Sequence, residues 1–391
     1  MGALSRAVAV FSKEFRDNLR DRRSVGSALL YSVFGPVLVA LVMAALARSQ
    51  ELPSPLDIPV AGADGAPALM AHLERSGARI VPAPGDPEAA VRNGDVDLVL
   101  VVEDGHGEAF AAGRPAPVRL VHDTSRVATL PRLQRVHSWL FAYSGEVTRG
   151  RLVDRGVDPV VLEPLRLEAA DQATPMARAA RYLGSLPIFF LIAAFVGGMH
   201  VAIDVTAGER ERGSLEALLV HAAPTQALAL GKWATTVVFN VAAVALTLGV
   251  SVAVFRSGRF GELAAQVRFG AEEALWVLVI LLPAALLVPA LQMAVAMFSR
   301  SFKEAQTYLS LLIFLPTVPG LLLSLDTLEV AAWMHGVPIL GQAIQVFDIV
   351  RGVPVSATQW AASAMGSLLG AALLVWLTGH FLRRERILLA R

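Results

Sequence analysis

The residues of this chain that are best placed to do chemistry lie in one charged stretch between two long apolar runs. Gly213 interrupts the incoming helix, Ser214 can cap a new short helix, and Pro224 ends it. The pattern predicts an apolar edge beside acidic groups that need cationic partners, which favours a docking surface for another protein over a solvated turn. We call residues 207–224 the docking segment. Its candidate contact residues are Glu209, Arg210, Glu211, Arg212, Gly213, Ser214, Leu215, Glu216, Leu218 and Leu219.

The rest of the sequence offers no recognisable catalytic motif. Lys232 follows Gly231 but precedes Trp233 and lacks the upstream glycine of a Walker A loop, so the pair is not a nucleotide-binding motif. The sequence has no H-E-x-x-H, no G-x-S-x-G and no cysteine, which leaves hydrolytic and thiol chemistry without a site. His106, between two glycines, is more typical of a turn than of a metal site. We therefore expect no catalytic residue, cofactor or metal in this chain.

A second group of candidates consists of polar residues inside the apolar runs, where ionisable groups are costly and often functional. His200 and Asp204 are one helical turn apart, so they share a face and can pair. Asn240 and Gln292 are expected to hydrogen-bond between helices. So few acidic residues lie near the middle of the runs that a bare cation has little to bind, which favours an apolar or amphipathic cargo.

The composition indicates a membrane protein. The 391 residues are 55% hydrophobic and 17% charged, and the net charge of +1 leaves no basic field to attract nucleic acid. A transmembrane helix needs roughly 20 mostly apolar residues, and six runs satisfy this length. They cover residues 25–47, 183–205, 233–255, 274–298, 305–325 and 360–382.

The positions of basic residues predict the orientation of these spans. Lys and Arg are concentrated in the N-terminal 23 residues, around Arg300 and Lys303, and in the C-terminal tail, which all lie on one side if there are six spans. Both termini should therefore be cytoplasmic. Residues 1–24 are expected to form an amphipathic helix in the membrane interface, in contact with lipid. Its apolar stripe consists of Leu4, Val8, Phe11, Phe15 and Leu19.

Residues 48–181 differ in composition from the apolar runs and predict a small extracytoplasmic α/β domain. Residues 330–355 are apolar but interrupted by Gly and Pro, which predicts a re-entrant segment at the outer side within the region 182–391. The predicted fold is an α-helical polytopic membrane protein with six transmembrane helices, an N-terminal interfacial helix, and this α/β domain between the first two spans. Within the domain, strands are expected at 58–61, 96–102, 118–122 and 160–168, and helices at 67–76, 87–92 and 127–155.

The docking segment also resembles a known family. The signature of ABC-2-type transporter permeases of the sodium-exporter (NatB-like) branch is similar to the run Glu209-Arg210-Glu211-x-Gly213-Ser214-Leu215-Glu216, followed by Leu218-Leu219, Pro224 and Gly231-Lys232. Family members usually carry Thr where this chain has Ser214, which keeps the hydroxyl. The order of parts and the stretch 337–342 are similar as well.

The resemblance implies the permease subunit of a bacterial ABC exporter in the plasma membrane. The docking segment would bind a separate ATP-binding subunit that carries ATP and Mg. A second permease, identical or paralogous, would complete the translocation path, since six spans form half a channel.

Two other classes of function compete with this one. ATP-driven movement can be passed to the external domain, which then acts mechanically or as a regulator on envelope partners without moving cargo. A closed seam between protomers would favour that alternative, and a cavity or lateral opening would favour transport. An integral-membrane enzyme is the weakest alternative, because no catalytic constellation is visible in the sequence.

Overall fold

The computed structural model describes residues 3–50, 55–126, 129–162, 186–215, 224–257, 269–325 and 327–389, together with the single residues 165, 170 and 172. The chain divides into two compact units. The helical unit consists of residues 1–45 and 172–391, and the α/β unit consists of residues 46–171.

The helical unit contains five helical segments, among the described residues, that are long and apolar enough to cross a membrane. These five are Leu186–Glu211, Thr225–Arg256, Ala271–Ala296, Phe302–Ser324 and Ala357–Arg384. A sixth helix, Arg22–Gln50, includes the shorter apolar stretch Leu30–Val42. In chain order the helices are α1 (Ala3–Arg20), α2 (Arg22–Gln50), α7 (Leu186–Val196), α8 (Met199–Ile203), α9 (Glu209–Glu211), α10 (Thr225–Arg256), α11 (Ala271–Ala296), α12 (Phe302–Leu311), α13 (Phe314–Ser324), α14 (Leu340–Arg351) and α15 (Ala357–Leu389).

Local sequence explains two irregular spans. The segment Leu186–Glu211 turns at Gly197 and Gly198, and a π-helical turn covers Asp204–Gly208. Glycine is needed at Gly197 because a Cβ there would collide with the Cβ of Ala243 on α10. The segment Phe302–Ser324 breaks between α12 and α13, just before Pro316, which has no N–H to continue the helical hydrogen bonds.

The stretch between the last two spanning segments forms a helical hairpin. A 3₁₀-helix covers Ala332–Gly336, and α14 has 12 residues, too few for the roughly 20 that a span requires. Between them Ile339 has a φ of 72°, a costly backbone conformation for a β-branched residue. Gln342 holds this turn, since its Oε1 accepts the N–H of Ile339 at 2.6 Å and its Nε2 donates to Oγ of Ser367 on α15 at 2.7 Å. The hairpin is thereby fastened to the last helix.

The α/β unit is built on a four-stranded sheet in the order β2-β1-β3-β4. The first three strands are parallel, and β4 pairs antiparallel with β3. Ile58, Leu73 and Leu100 are fully buried in its core, together with Val136 of the long last helix. The elements are β1 (Leu56–Ala61), α3 (Pro67–Arg75), β2 (Ala78–Pro82), α4 (Pro87–Asn93), β3 (Leu98–Val102), α5 (His106–Ala111), β4 (Val118–His122) and α6 (Thr129–Asp154).

Two details of the α/β unit differ from the sequence predictions. Strand β2 was not predicted, because its outer position leaves Arg79 exposed, where the guanidinium pairs with Asp57 of β1 at 2.7 Å. The predicted strand at 160–168 is wrong where it is described, since Pro159–Leu162 forms a 3₁₀-helix. Oδ1 of Asp158 accepts the N–H of Val160 at 2.9 Å, which favours a turn at this point. Residues 163–164 and 166–169 lie outside the described part of the chain.

Candidate functional site

The N-terminal helix α1 presents two different faces. Ala7, Glu14 and Asn18 are buried in the helical unit, whereas Leu4 and Leu19 of the predicted apolar stripe are largely exposed. Steps of seven and four residues place the buried set on one face of the helix. The sequence predicts that α1 lies in the membrane interface. The face of α1 that is buried in the helical unit is nevertheless partly polar.

Gly231 allows α1 to pack directly on α10. A Cβ at this position would lie 2.7 Å from the Cβ of Val10 and 2.8 Å from the carbonyl oxygen of Ala7. Such distances leave no room for a side chain, so glycine is required here by close approach rather than by its backbone conformation. The close contact between α1 and α10 therefore accounts for the glycine at position 231.

Lys232, the residue after Gly231, is the centre of a buried cluster of charges. Its Nζ lies 2.6 Å from Oε2 of Glu209 and 3.2 Å from Oε1 of Glu14, and it donates to the carbonyl oxygen of Val205 at 2.9 Å. Lys13 completes the cluster, with its Nζ 3.1 Å from Glu14 Oε1 and 3.7 Å from Glu209 Oε1. We call Lys13, Glu14, Glu209 and Lys232 the charge quartet; its two cations balance its two carboxylates.

Three of the four side chains of the quartet are almost completely buried. The side chains of Lys232, Glu14 and Glu209 are 2%, 4% and 5% exposed, whereas Lys13 is half-exposed. Burial alone would raise the pKa of Glu14, but the nearby ammonium groups of Lys232 and Lys13 outweigh burial and hold this pKa below its usual value. Glu14 is therefore a carboxylate at neutral pH.

The next two residues of the docking segment bind other elements of the helical unit. Arg210 donates to the carbonyl oxygen of Met297 and, at 2.8 Å, to that of Ser299, at the C-terminal end of α11. Glu211 accepts the N–H of Phe302 at 2.6 Å, where α12 begins and where a carboxylate is favoured by the helix dipole. Residues 209–211 thus connect α1 and α10 to the C-terminal end of α11 and the N-terminal end of α12.

Two predictions for the docking segment are corrected by these contacts. Glu209 was expected to face a partner protein, but it is buried against this chain's own lysines. Leu215 was expected to lie on an exposed apolar edge, but it is 6% exposed and belongs to an apolar cluster that includes Leu228 and Met297. The periodicity of the segment does not reveal which groups are already satisfied within the chain.

The middle of the docking segment is exposed. Glu211, Arg212, Gly213 and Ser214 lie at the surface, and Gly213 has a φ of 70°, which ends the preceding helix. The hydroxyl of Ser214 donates to the carbonyl oxygen of Glu209 at 3.2 Å, at the end of the preceding helix. The backbone N–H groups that Ser214 was expected to cap lie outside the described residues. Glu216, Leu218 and Leu219 lie outside the described residues.

The polar residues within the spanning segments have specific partners. Asp204 accepts from Arg212 at 2.7 Å, and the ring of His200 lies edge-on to that of Phe302, with centroids 4.9 Å apart. Asn240 donates from Nδ2 to the carbonyl oxygen of Ala285 at 3.2 Å, which links α10 to α11. Gln292 donates in the same way to the carbonyl oxygen of Phe195, which links α11 to α7.

Sequence reasoning missed Lys13, Glu14 and Lys232. Lys232 was excluded from the third apolar run, which was taken to begin at Trp233, whereas α10 begins at Thr225. Glu14 carries a weak signal, because it occupies the same helical face as Ala7 and Asn18. In the described part of the chain, no group of three or more His, Asp or Glu side chains is arranged to hold a metal ion.

Comparisons with known proteins identify the family of the chain. The sequence model of the ABC-2 family of transporter proteins matches residues 27–379. The ABC transporter permease protein NatB of Bacillus subtilis (strain 168) is 28% identical over 320 residues, which cover 79% of this chain and 80% of that protein. No solved structure matches the chain. The chain belongs to the ABC-2 family of transporter proteins.

Proposed function

We propose that the chain is the permease subunit of a bacterial ABC exporter, which works with a separate ATP-binding subunit and a second permease to move an apolar or amphipathic substrate out of the cytoplasm or the inner leaflet. ATP and Mg belong to the partner subunit in this proposal. The family membership and the similarity to a permease named NatB support it.

The proposed topology has six spans, with both termini cytoplasmic in the plasma membrane. At about 1.5 Å per residue, the 29 residues of α2 exceed the roughly 30 Å of a hydrocarbon core, so α2 serves as the first span beside the five already described. The α/β unit then follows the first span on the outer side. The concentration of Lys and Arg near the two termini and around Arg300 supports this orientation.

The observation that carries the proposal is the set of contacts made by residues 209–211. Glu209 contacts α1 and α10, and Arg210 and Glu211 contact the adjoining ends of α11 and α12, so a force on this segment reaches four helices at once. Arg212 and Gly213 lie at the surface beside them and are available to a partner. This arrangement suits a segment on which an ATP-binding subunit docks.

The charges in the spans favour an apolar or amphipathic cargo. Asp204 and Glu209 occur in the spanning segment Leu186–Glu211, and both are engaged, by Arg212 and Lys232 respectively. Both also lie at the end of that segment where the docking segment begins. A bare cation crossing the bilayer would instead need oxygen ligands near the midplane.

Affinity purification tests the proposal directly. The tagged chain is expressed with its native partners, extracted in mild detergent, and analysed by mass spectrometry for bound proteins and small molecules. We expect an ATP-binding subunit in the complex, and its ATPase activity should depend on the permease. Glu216→Arg should reduce co-purification or stimulated ATPase activity, whereas the same reversal at Glu108, exposed in the α/β unit, should not.

Two results would contradict the proposal. If no ATP-binding subunit co-purifies with the unmodified chain, the chain is not a permease of this kind. If Glu216→Arg assembles and turns over normally, the docking site must lie elsewhere, for example at Arg300 to Glu304. Retention of a lipid-like molecule or hydrophobic peptide would support the proposed cargo class, and cargo-independent turnover with a closed seam between protomers would favour mechanical transmission.

A further inference from the structure

We propose that Glu14 and Lys232 are positioning residues of the coupling machinery, which fix the docking segment to α1 and α10 so that these elements move as one body. The inference rests on the proposed function, because it assigns the part of the chain that moves when the ATP-binding subunit acts. It makes the N-terminal helix a mechanical component rather than only a determinant of topology.

The geometry of Lys232 supports a positioning role. An ammonium group has three N–H donors, and Nζ of Lys232 has three oxygen neighbours within 3.2 Å. They come from three places: the docking segment at Glu209, the π-helical turn at Val205, and α1 at Glu14. Lys232 thus donates hydrogen bonds to Val205 and Glu14 and forms an ion pair with Glu209, which holds the three elements together.

The burial of Lys232 and Glu14 also supports a positioning role. A charged group taken out of water cannot leave its partner without being stranded in a medium of low dielectric. Because Lys232 and Glu14 are almost fully buried, α1 cannot separate from α10 without breaking the quartet. A displacement of Glu209 therefore carries both helices with it, as far as the ion pairs persist.

The small net contribution of buried ion pairs to stability also favours a positioning role for the quartet. A buried ion pair is often no more stabilising than apolar side chains of similar volume. Stability alone therefore gives little reason for four charges where α1 meets α10. Directional contacts give a reason, since apolar side chains slide past one another and hydrogen-bonded charges do not.

The backbone beside the quartet also supports the positioning role. The π-helical turn Asp204–Gly208 directly precedes Glu209, and such turns within α-helices are frequent at functional sites. Lys232 donates to Val205 inside this turn. Gly231, the residue before Lys232, is where α1 comes closest to α10. The charged contact and the close backbone contact thus occur within two consecutive residues.

The experiment uses the full complex, reconstituted into lipid with its co-purified ATP-binding subunit. Three measurements are made on each variant: co-purification yield, thermal midpoint, and permease-stimulated ATPase activity per assembled complex. Glu14→Gln removes one charge with little change of shape. Asp17→Asn is its matched control, since Asp17 is an exposed carboxylate on the same helix, 3.7 Å from Lys13.

We expect Glu14→Gln to lower stimulated ATPase activity by about 3- to 30-fold while assembly stays normal, a range typical of mutations that alter coupling between sites. Glu14→Asp, which keeps the charge, should recover part of the loss. The double variant Glu14→Gln/Lys232→Met, which restores charge balance, should assemble but stay uncoupled, because no charged contact then joins α10 to α1 and, among the described residues, only the hydrogen bond from Thr235 to the carbonyl oxygen of Phe11 remains. Asp17→Asn should behave like the unmodified chain.

The outcomes separate this inference from the proposed function. If Glu14→Gln and the double variant both keep full stimulated activity, the positioning role is wrong and the permease assignment stands. If the variants lose assembly and thermal stability in the same proportion as activity, the quartet is only structural, which also overturns the inference. If the unmodified chain binds no ATP-binding subunit, both proposals fail together.

Discussion

The ammonium nitrogen of Lys232 lies 2.6 Å from Oε2 of Glu209, and both side chains are almost completely buried. An acidic residue of the docking segment that was expected to meet a partner protein is therefore neutralised by a lysine of its own chain. The surface left for a partner begins at Glu211, and Glu209 anchors that surface from behind. Mutations at Glu209 should thus act on the permease itself.

Lys232→Met should destabilise the helical unit strongly. Removing one partner of a buried ion pair typically costs about 3–5 kcal/mol, since the other charge is left uncompensated. Lys303→Met is the matched control, because Lys303 is exposed at the start of α12. Thermal or denaturant unfolding in detergent measures the difference. Equal stability of the two variants would mean that Glu14 and Glu209 find other cations when Lys232 is removed.

Gly231→Ala should displace α1 from α10. The added Cβ would overlap Val10, and overpacking of this kind costs about 1–3 kcal/mol. Gly249→Ala on the same helix is the control, since a Cβ there meets nothing within 4 Å. Limited proteolysis at the basic residues of α1 should become faster in the first variant only. Equal protection in both variants would indicate that α1 does not pack at Gly231.

The stabilising effect of Glu14 should depend on pH. Its pKa in the folded chain is held below the usual value, so its contribution is complete above the unfolded-state pKa of about 4.3 and is lost as the pH falls through the lower folded-state pKa. Glu14→Gln should therefore lower the thermal midpoint at neutral pH, and the difference should shrink in acid. A difference that is the same at all pH values would contradict the ion pairing of Glu14.

Gly341→Ala should loosen the helical hairpin from α15. A Cβ at Gly341 would lie 2.9 Å from the Cβ of Ser363 and would collide with the carbonyl oxygen of His335. We expect a loss of about 1–3 kcal/mol in unfolding free energy. Gly336→Ala is the control, because its Cβ meets nothing within 4 Å. If both variants unfold alike, the close contact at Gly341 does not stabilise the hairpin.

The orientation can be tested with single cysteines, since the chain has none. Ser125 is exposed in the α/β unit, and Lys303 is exposed at the start of α12. A membrane-impermeant thiol reagent added to intact cells should label Ser125→Cys, and should label Lys303→Cys only after the membrane is opened. The reverse pattern would invert the proposed topology.

The sequence by itself determined that the protein is a polytopic membrane protein and predicted where its docking segment lies. Apolar runs of span length, the distribution of basic residues and the breaks at Gly213 and Pro224 are local properties, which need no knowledge of distant contacts. The same local logic located strands β1, β3 and β4 of the α/β unit. It missed β2, a five-residue strand at the edge of the sheet that ends at Pro82 and whose exposed Arg79 pairs with Asp57 on the neighbouring strand.

Only the tertiary structure decided which charges face a partner and which are internal. Glu14 and Lys232 are 218 residues apart in the chain, and nothing in either local sequence records the other. Periodicity gives the face of a helix on which a residue lies, but burial depends on what that face packs against. The close approach at Gly231 brings α1 onto α10, and the removal of water there turns four dispersed charges into one balanced cluster.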